Sequence, residues 1–166
     1  DFSTAIDEHQ LELYSYSHSN DQDHISNVKQ INEDEISLMD LIVSIGGDGT
    51  MLKSSKLASK HNVPITGINK GRLGFLTDIN PDLVSSVLKE VIKGDYQTES
   101  RMLLDVKILN NDQEAFIGHA INDLVINKTK TGRMINVLTS IDGNYVNSNE
   151  GDGYIVSTPT GSTAYS

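Results

Sequence analysis

The 166-residue chain has no cysteine. That excludes disulfides, thiolate metal sites and cysteine nucleophiles, and it fits a reducing compartment, with the cytoplasm expected. The chain is also poor in positive charge, with 13 Lys and Arg against 23 Asp and Glu, for a net charge of -10. Nucleic acid is therefore not an expected partner, because phosphate contact needs a positive field that such a chain offers only as a local patch. No apolar run approaches the roughly 20 residues that span a bilayer, and there is no basic-then-apolar leader, so no membrane partner is expected. Internal repeats and low-complexity segments are absent as well.

The charge that is present is unevenly spread. Eleven acidic residues and one base, Lys29, lie between Asp1 and Asp48, and the remainder carries twelve of each sign. The excess acid reads as a solvated, weakly organised surface. Within it, only Leu11 to Tyr16 alternates as a strand would.

A sharper pattern begins at Leu41, where Leu41, Ile42, Val43 and Ile45 form a short apolar run that stops at Gly46 and Gly47, as a buried parallel strand does. Thr50 to His61 reads as a helix ended by Asn62, and Val63 to Ile68 as a second strand, which together make a βαβ pattern. Asn80 caps a further helix with Pro81 at its first position. That helix runs to Lys93, with Leu83, Val84, Val87, Leu88, Val91 and Ile92 as one buried stripe and Gly94 as its cap. Beyond Gly94 the period becomes two. Met102, Leu104, Val106 and Ile108 alternate, Asn110 to Gln113 turns, Phe116 to Ile126 is extended, and Asp142-Gly143 joins Ile135–Ile141 to a strand that starts at Tyr145. The expected fold is an α/β, Rossmann-like domain with a parallel sheet over residues 1–95, followed by an incomplete all-β, sandwich-like domain over 96–166.

Four segments carry chemistry: Gly46-Gly47-Asp48-Gly49-Thr50, Asn69 to Thr77 (NKGRLGFLT), Asn122-Asp123, and Gly151 to Tyr165 (GDGYIVSTPTGSTAY). The first stands where a strand hands over to a helix, so its glycines admit a close ligand and the helix's first amides favour an anion. It is neither a P-loop nor a dinucleotide fingerprint, and taken alone a tight turn with an acidic cap is the commoner explanation of such a loop. Asp48 gives the loop its interest. A carboxylate among phosphate-binding amides repels phosphate unless it accepts a proton from an attacking hydroxyl or holds Mg²⁺. Phe75 is open to a core reading, Asn122-Asp123 to an edge or bulge, and Thr158-Pro159-Thr160-Gly161 to a plain turn. His61 and His119 share no metal-ligand spacing. Lys70, Arg72, Lys128, Lys130 and Arg133 are the available cations. Arg133 is the preferred phosphate or subunit contact, since a guanidinium grips phosphate bidentately.

In order and spacing these four segments resemble the NAD kinases, over Ile42 to Ser166. The resemblance implies transfer of a terminal phosphoryl group, from ATP, another nucleoside triphosphate or polyphosphate, to the 2′-hydroxyl of the adenosine ribose of NAD, giving NADP. It makes Asp48 the residue that draws the proton from that hydroxyl, with Gly46, Gly47, Gly49 and Thr50 shaping the phosphate loop. By the same resemblance Phe75 lies near the adenine, Asn122 and Asp123 bond the ribose and adenosine side, and Asp152 lies near the nicotinamide. Thr160, Thr163, Ala164 and Tyr165 line the adenine and carboxamide pockets. The family further implies a divalent cation, Mg²⁺ being expected, with no protein metal site assigned, and a homo-oligomer, dimer or tetramer.

Against the family pattern the chain looks short at both ends, and the 166-residue polypeptide alone is expected to be poorly folded or inactive, its full-length parent being the kinase. The alternatives are a lipid or sugar kinase that shares only the GGDG loop, and a non-catalytic NAD-binding fragment.

Overall fold

The computed structural model describes residues 11–16, 28–71, 74–129 and 132–164. The chain divides into two compact units, Asp1–Thr98 and Glu99–Ser166.

In the first unit, β1 (Tyr14–Ser15) pairs in parallel with β2 (Lys29–Gln30), and a 3-10 turn spans Glu33–Leu38. Strand β3 (Ile42–Gly46) leads through Gly47 into helix α1 (Asp48–His61) and returns in β4 (Ile65–Asn69), parallel to β3 with Gly46 in register with Asn69. This is the α/β arrangement with parallel strands expected from the sequence. The helix starts two residues before Thr50, at Asp48, because Gly47 takes the N-cap place and an acid suits the first turn. Asn62 closes it in the left-handed conformation, φ 54°.

Strand β3 departs from the fully buried strand read in the sequence. Ser44 is buried, its hydroxyl bonded to Ser54 of α1 at 3.2 Å, whereas Ile45 is 53% exposed. Alternation puts Ser44 on the face that α1 covers and Ile45 on the opposite one. The described residues of the acidic first third are likewise better organised than expected. Ile31 and Ile36 join Leu57 and Val63 in a core with Tyr14, Tyr16, Met39 and Ile42 packed on it. Two well-placed isoleucines suffice to dock the acidic turn, which keeps its charges outside.

Asn80 caps its helix as expected, accepting the Asp82 amide at 3.0 Å. The first turn is a 3-10 piece, Pro81–Leu83, before α2 (Val84–Lys93). The tighter winding takes Leu83 out of the apolar stripe, so it is exposed; Val84 is buried and the later stripe residues are half-buried.

The second unit is β-rich, as expected. Strand β5 (Leu104–Asn110) pairs antiparallel with β6 (Gln113–Ala120), β8 (Ile135–Ile141) with β9 (Asn144–Gly151), and β7 (Asp123–Asn127) with β10 (Gly153–Ser157). The extended stretch from Phe116 to Ile126 is therefore two strands in different sheets, broken at Ile121-Asn122. Both hairpins turn on two residues with positive φ, Asn111-Asp112 and Asp142-Gly143. Of the alternating set only Val106 is fully buried. Met102 ahead of β5, Ile108, Phe116 and Ile117 on one hairpin, and Leu138, Ile141 and Tyr145 on the other, are exposed. Among the described residues no helix is long and apolar enough to cross a membrane.

Candidate active site

The two glycine-rich segments of the first unit start at the carboxyl ends of neighbouring parallel strands, the place where α/β sheets present ligand sites. Asp48 joins them. Its Oδ2 accepts the Phe75 amide at 2.9 Å, and its Oδ1 accepts the Leu76 amide at 3.0 Å and the Thr77 hydroxyl at 3.2 Å. The segment closes on itself as well: the Gly74 amide donates to Thr77 O at 3.3 Å, and the Lys70 amide reaches back to Gly46 O at 3.2 Å. Burial pushes the Asp48 carboxyl up, but the bonds from Phe75, Leu76 and Thr77 outweigh it and hold the group below the ordinary aspartate value. Asp48 is thus an ionised clasp between the helix start and the second motif. Phe75 is 64% exposed beside it, which removes the core reading of that residue.

The helix start is less open to an anion than the glycine pattern implies, because the Thr50 amide, one of the amides a helix start normally leaves free, is bonded to Gly47 O at 3.0 Å. Among the described residues no group of three or more His, Cys, Asp or Glu could hold a metal ion. The N–H and O–H donors on Asp48 also occupy oxygens that a cation would need. The described residues around Asp48 do not fit a resident metal. A cleft of about 430 Å³ lined by Glu33, Lys53, Lys56, Leu57 and Lys60 lies apart from Asp48, and its Lys60 is paired with Glu33 at 2.5 Å.

In the second unit the strand break at Ile121-Asn122 and the Thr158-Pro159-Thr160-Gly161 turn interlock. The Thr158 amide donates to Asn122 O at 2.8 Å, its hydroxyl donates to Ile121 O, and that hydroxyl accepts the Gly161 amide at 3.2 Å. The turn reading and the binding reading of this segment therefore describe one structure. Among the described residues, the Asn122 Oδ1 is buried without a hydrogen-bond partner. Buried polar atoms are nearly always paired, so this oxygen is open to a donor that the described residues do not supply. Asp123 opens β7, Thr160 is half-buried and receives Arg101 Nη1 at 3.3 Å, and Thr163 and Ala164 continue the turn, exposed. Asp152 is exposed and paired with Lys128 at 2.6 Å, while Arg133 is exposed on the loop between β7 and β8. Tyr165, Arg72 and Lys130 lie outside the described residues. Asn69, Thr77 and Arg101 had no assigned role in the sequence, and Lys128 was read there only as one of a group of loop cations; their contacts are long-range and leave no local pattern.

Residues 3–96 match the ATP-NAD kinase N-terminal domain, and residues 121–166 match the ATP-NAD kinase C-terminal domain. The chain belongs to the NAD kinase family. It is 52% identical over 126 residues to the NAD kinase of Aromatoleum aromaticum, covering 76% of this chain and 42% of that one. With the NAD kinase of Marinobacter nauticus it shares 48% over 129 residues, 78% of this chain and 44% of the relative. The chain thus spans less than half the length of these curated NAD kinases. Among solved structures, yeast NADH kinase complexed with NADH superposes with a TM-score of 0.76 at 30% identity, over 88% of this chain and 44% of that one. An NAD kinase from Archaeoglobus fulgidus in complex with ATP gives 0.59 at 27% identity, over 92% and 62%. Membership of the NAD kinase family disfavours a lipid or sugar kinase that shares only the GGDG loop.

Proposed function

We propose that the protein carrying this sequence transfers a phosphoryl group from ATP, or from another triphosphate or polyphosphate, to the 2′-hydroxyl of the adenosine ribose of NAD, yielding NADP. The observation that carries the reading is the Asp48 clasp at the ends of β3 and β4 in a chain of this family. The ribose oxygen attacks the terminal phosphorus, the bond to the bridging oxygen breaks, and the hydroxyl proton passes toward Asp48. A loose phosphoryl-transfer transition state asks little of the nucleophile, so alignment outweighs base strength. A carboxylate held ionised suits that role, because it accepts and orients the hydroxyl rather than acting as a strong base.

In this reading Gly46, Gly47, Gly49 and Thr50 border the phosphate path and exposed Phe75 offers its ring to a base. The Asn122 oxygen and Asp123 take ribose or adenine donors. Asp152 faces the nicotinamide side, Thr160, Thr163, Ala164 and Tyr165 complete the pockets, and Arg133 meets a phosphate or a neighbouring subunit. A divalent cation enters on the triphosphate, and the protein acts in the cytoplasm as a homo-oligomer. A coupled assay for NADP, run with ATP and with polyphosphate, tests the reading. NADP should accumulate with at least one donor, and phosphorylation of diacylglycerol or sphingosine instead would refute it.

A further inference from the structure

We propose that Thr77, oriented by Asn69, is a positioning residue for Asp48, fixing Oδ1 and leaving Oδ2 as the oxygen that receives the substrate hydroxyl. The proposal rests on the reading of Asp48 given above. Its geometry is a relay with one direction. The Gly71 amide donates to Asn69 Oδ1 at 2.6 Å, which settles which end of the side-chain amide is oxygen. Asn69 Nδ2 therefore points at Thr77, donating to its carbonyl and to its Oγ1, both at 3.1 Å. With that lone pair occupied, the Thr77 hydroxyl proton is directed to Asp48 Oδ1 at 3.2 Å. Oδ1 also takes the Leu76 amide, so both of its lone pairs are in use. Among the described residues, the hydrogen bond seen at Oδ2 is the Phe75 amide at 2.9 Å, which leaves that oxygen one acceptor site.

The relay is dry, with Asn69 1% and Thr77 0% exposed, so water cannot substitute for the hydroxyl. The Thr77 methyl is held from the other side. A β-carbon on Gly67 would lie 2.8 Å from Thr77 Cγ2, so the methyl fills the space that this glycine leaves. Hydroxyl and methyl are thereby separable by mutation: Thr77→Val keeps the shape and deletes the donor, and Thr77→Ser keeps the donor and deletes the methyl.

The experiment uses the full-length protein carrying this sequence, with the ¹³C carboxyl signal of Asp48 assigned by its loss in Asp48→Asn. Thr77→Val should raise the titration midpoint of that carboxyl, and Thr77→Ser should restore it. The kcat for NADP formation should fall about tenfold in Thr77→Val, the effect of one lost hydrogen bond to a charged group, with KM for NAD moving less than about twofold. A Val variant that titrates and turns over like the parent, or a Ser variant no better than Val, would overturn the proposal. In the unmutated protein the Phe75 and Leu76 amide protons should titrate with the carboxyl at one midpoint. Separate midpoints would also overturn it, even if the Val variant does not fold. If the titrations behave as stated and no NADP forms, the kinase reading fails while the positioning of the carboxylate stands.

Discussion

Gly74 and Asp48 stand so close that a β-carbon on Gly74 would lie 2.1 Å from Asp48 Oδ1. The second motif can close on the carboxylate only because position 74 has no side chain. Gly74→Ala should push the segment off Asp48 and break the amide bonds from Phe75 and Leu76. We expect NADP formation to fall by at least about tenfold, with a loss of about 1–3 kcal/mol in urea unfolding from the donors and acceptor left unpaired.

Asp48 also sets a pH dependence. Its carboxyl titrates below the ordinary value when folded, so the stability it contributes is present above the unfolded pKa of about 3.9 and is lost as pH falls through the folded value. The stability gap between the parent and Asp48→Asn should therefore be largest near neutral pH and shrink on acidification below about pH 4. Urea midpoints measured across that range check it; parallel curves would remove the assignment.

Asn122 carries a buried oxygen with no partner among the described residues, an arrangement that costs folding free energy unless a ligand supplies a donor. Asn122→Ala should leave the melting temperature unchanged or raised, while weakening NAD binding by about tenfold. Calorimetric titration beside a thermal melt separates the two effects.

The Lys128–Asp152 pair, at 2.6 Å with the Asp152 side chain 74% exposed, is worth under about 1 kcal/mol to stability. Its value lies in charge. If Asp152 lies beside NAD as proposed, losing Lys128 leaves an unpaired carboxylate facing an anionic dinucleotide. Lys128→Met should raise KM for NAD at low salt, and the difference should shrink at high salt as screening grows.

What the sequence made legible was local. Ile42–Gly46 and Ile65–Asn69 are short apolar runs closed by polar or glycine breaks, and Asn80, Asn62 and Gly94 mark helix ends by their own conformational preferences. The polar pair Asn122-Asp123 marks an interruption open to an edge or a bulge, and only the Thr158 turn packed against it shows that the chain changes sheets there. Glycine at 161 makes that packing feasible, since a β-carbon there would lie 2.3 Å from Asn122 O. The site divides the same way. Asp48 stands out as a carboxylate in a glycine loop, but Thr77 looks like an ordinary polar residue until its bond to Asp48, 29 positions away, is seen.

The central claim is that Asp48 receives the hydroxyl to which the phosphoryl group is transferred. The most direct measurement is NADP formation by the full-length protein carrying this sequence and by its Asp48→Asn variant, with NAD binding and melting followed on the same samples. The account predicts NADP from the parent and a rate at least about a hundredfold lower in the variant, in the range that general acid–base groups supply, with NAD still bound. A folded variant that makes NADP at the parent's rate would contradict it.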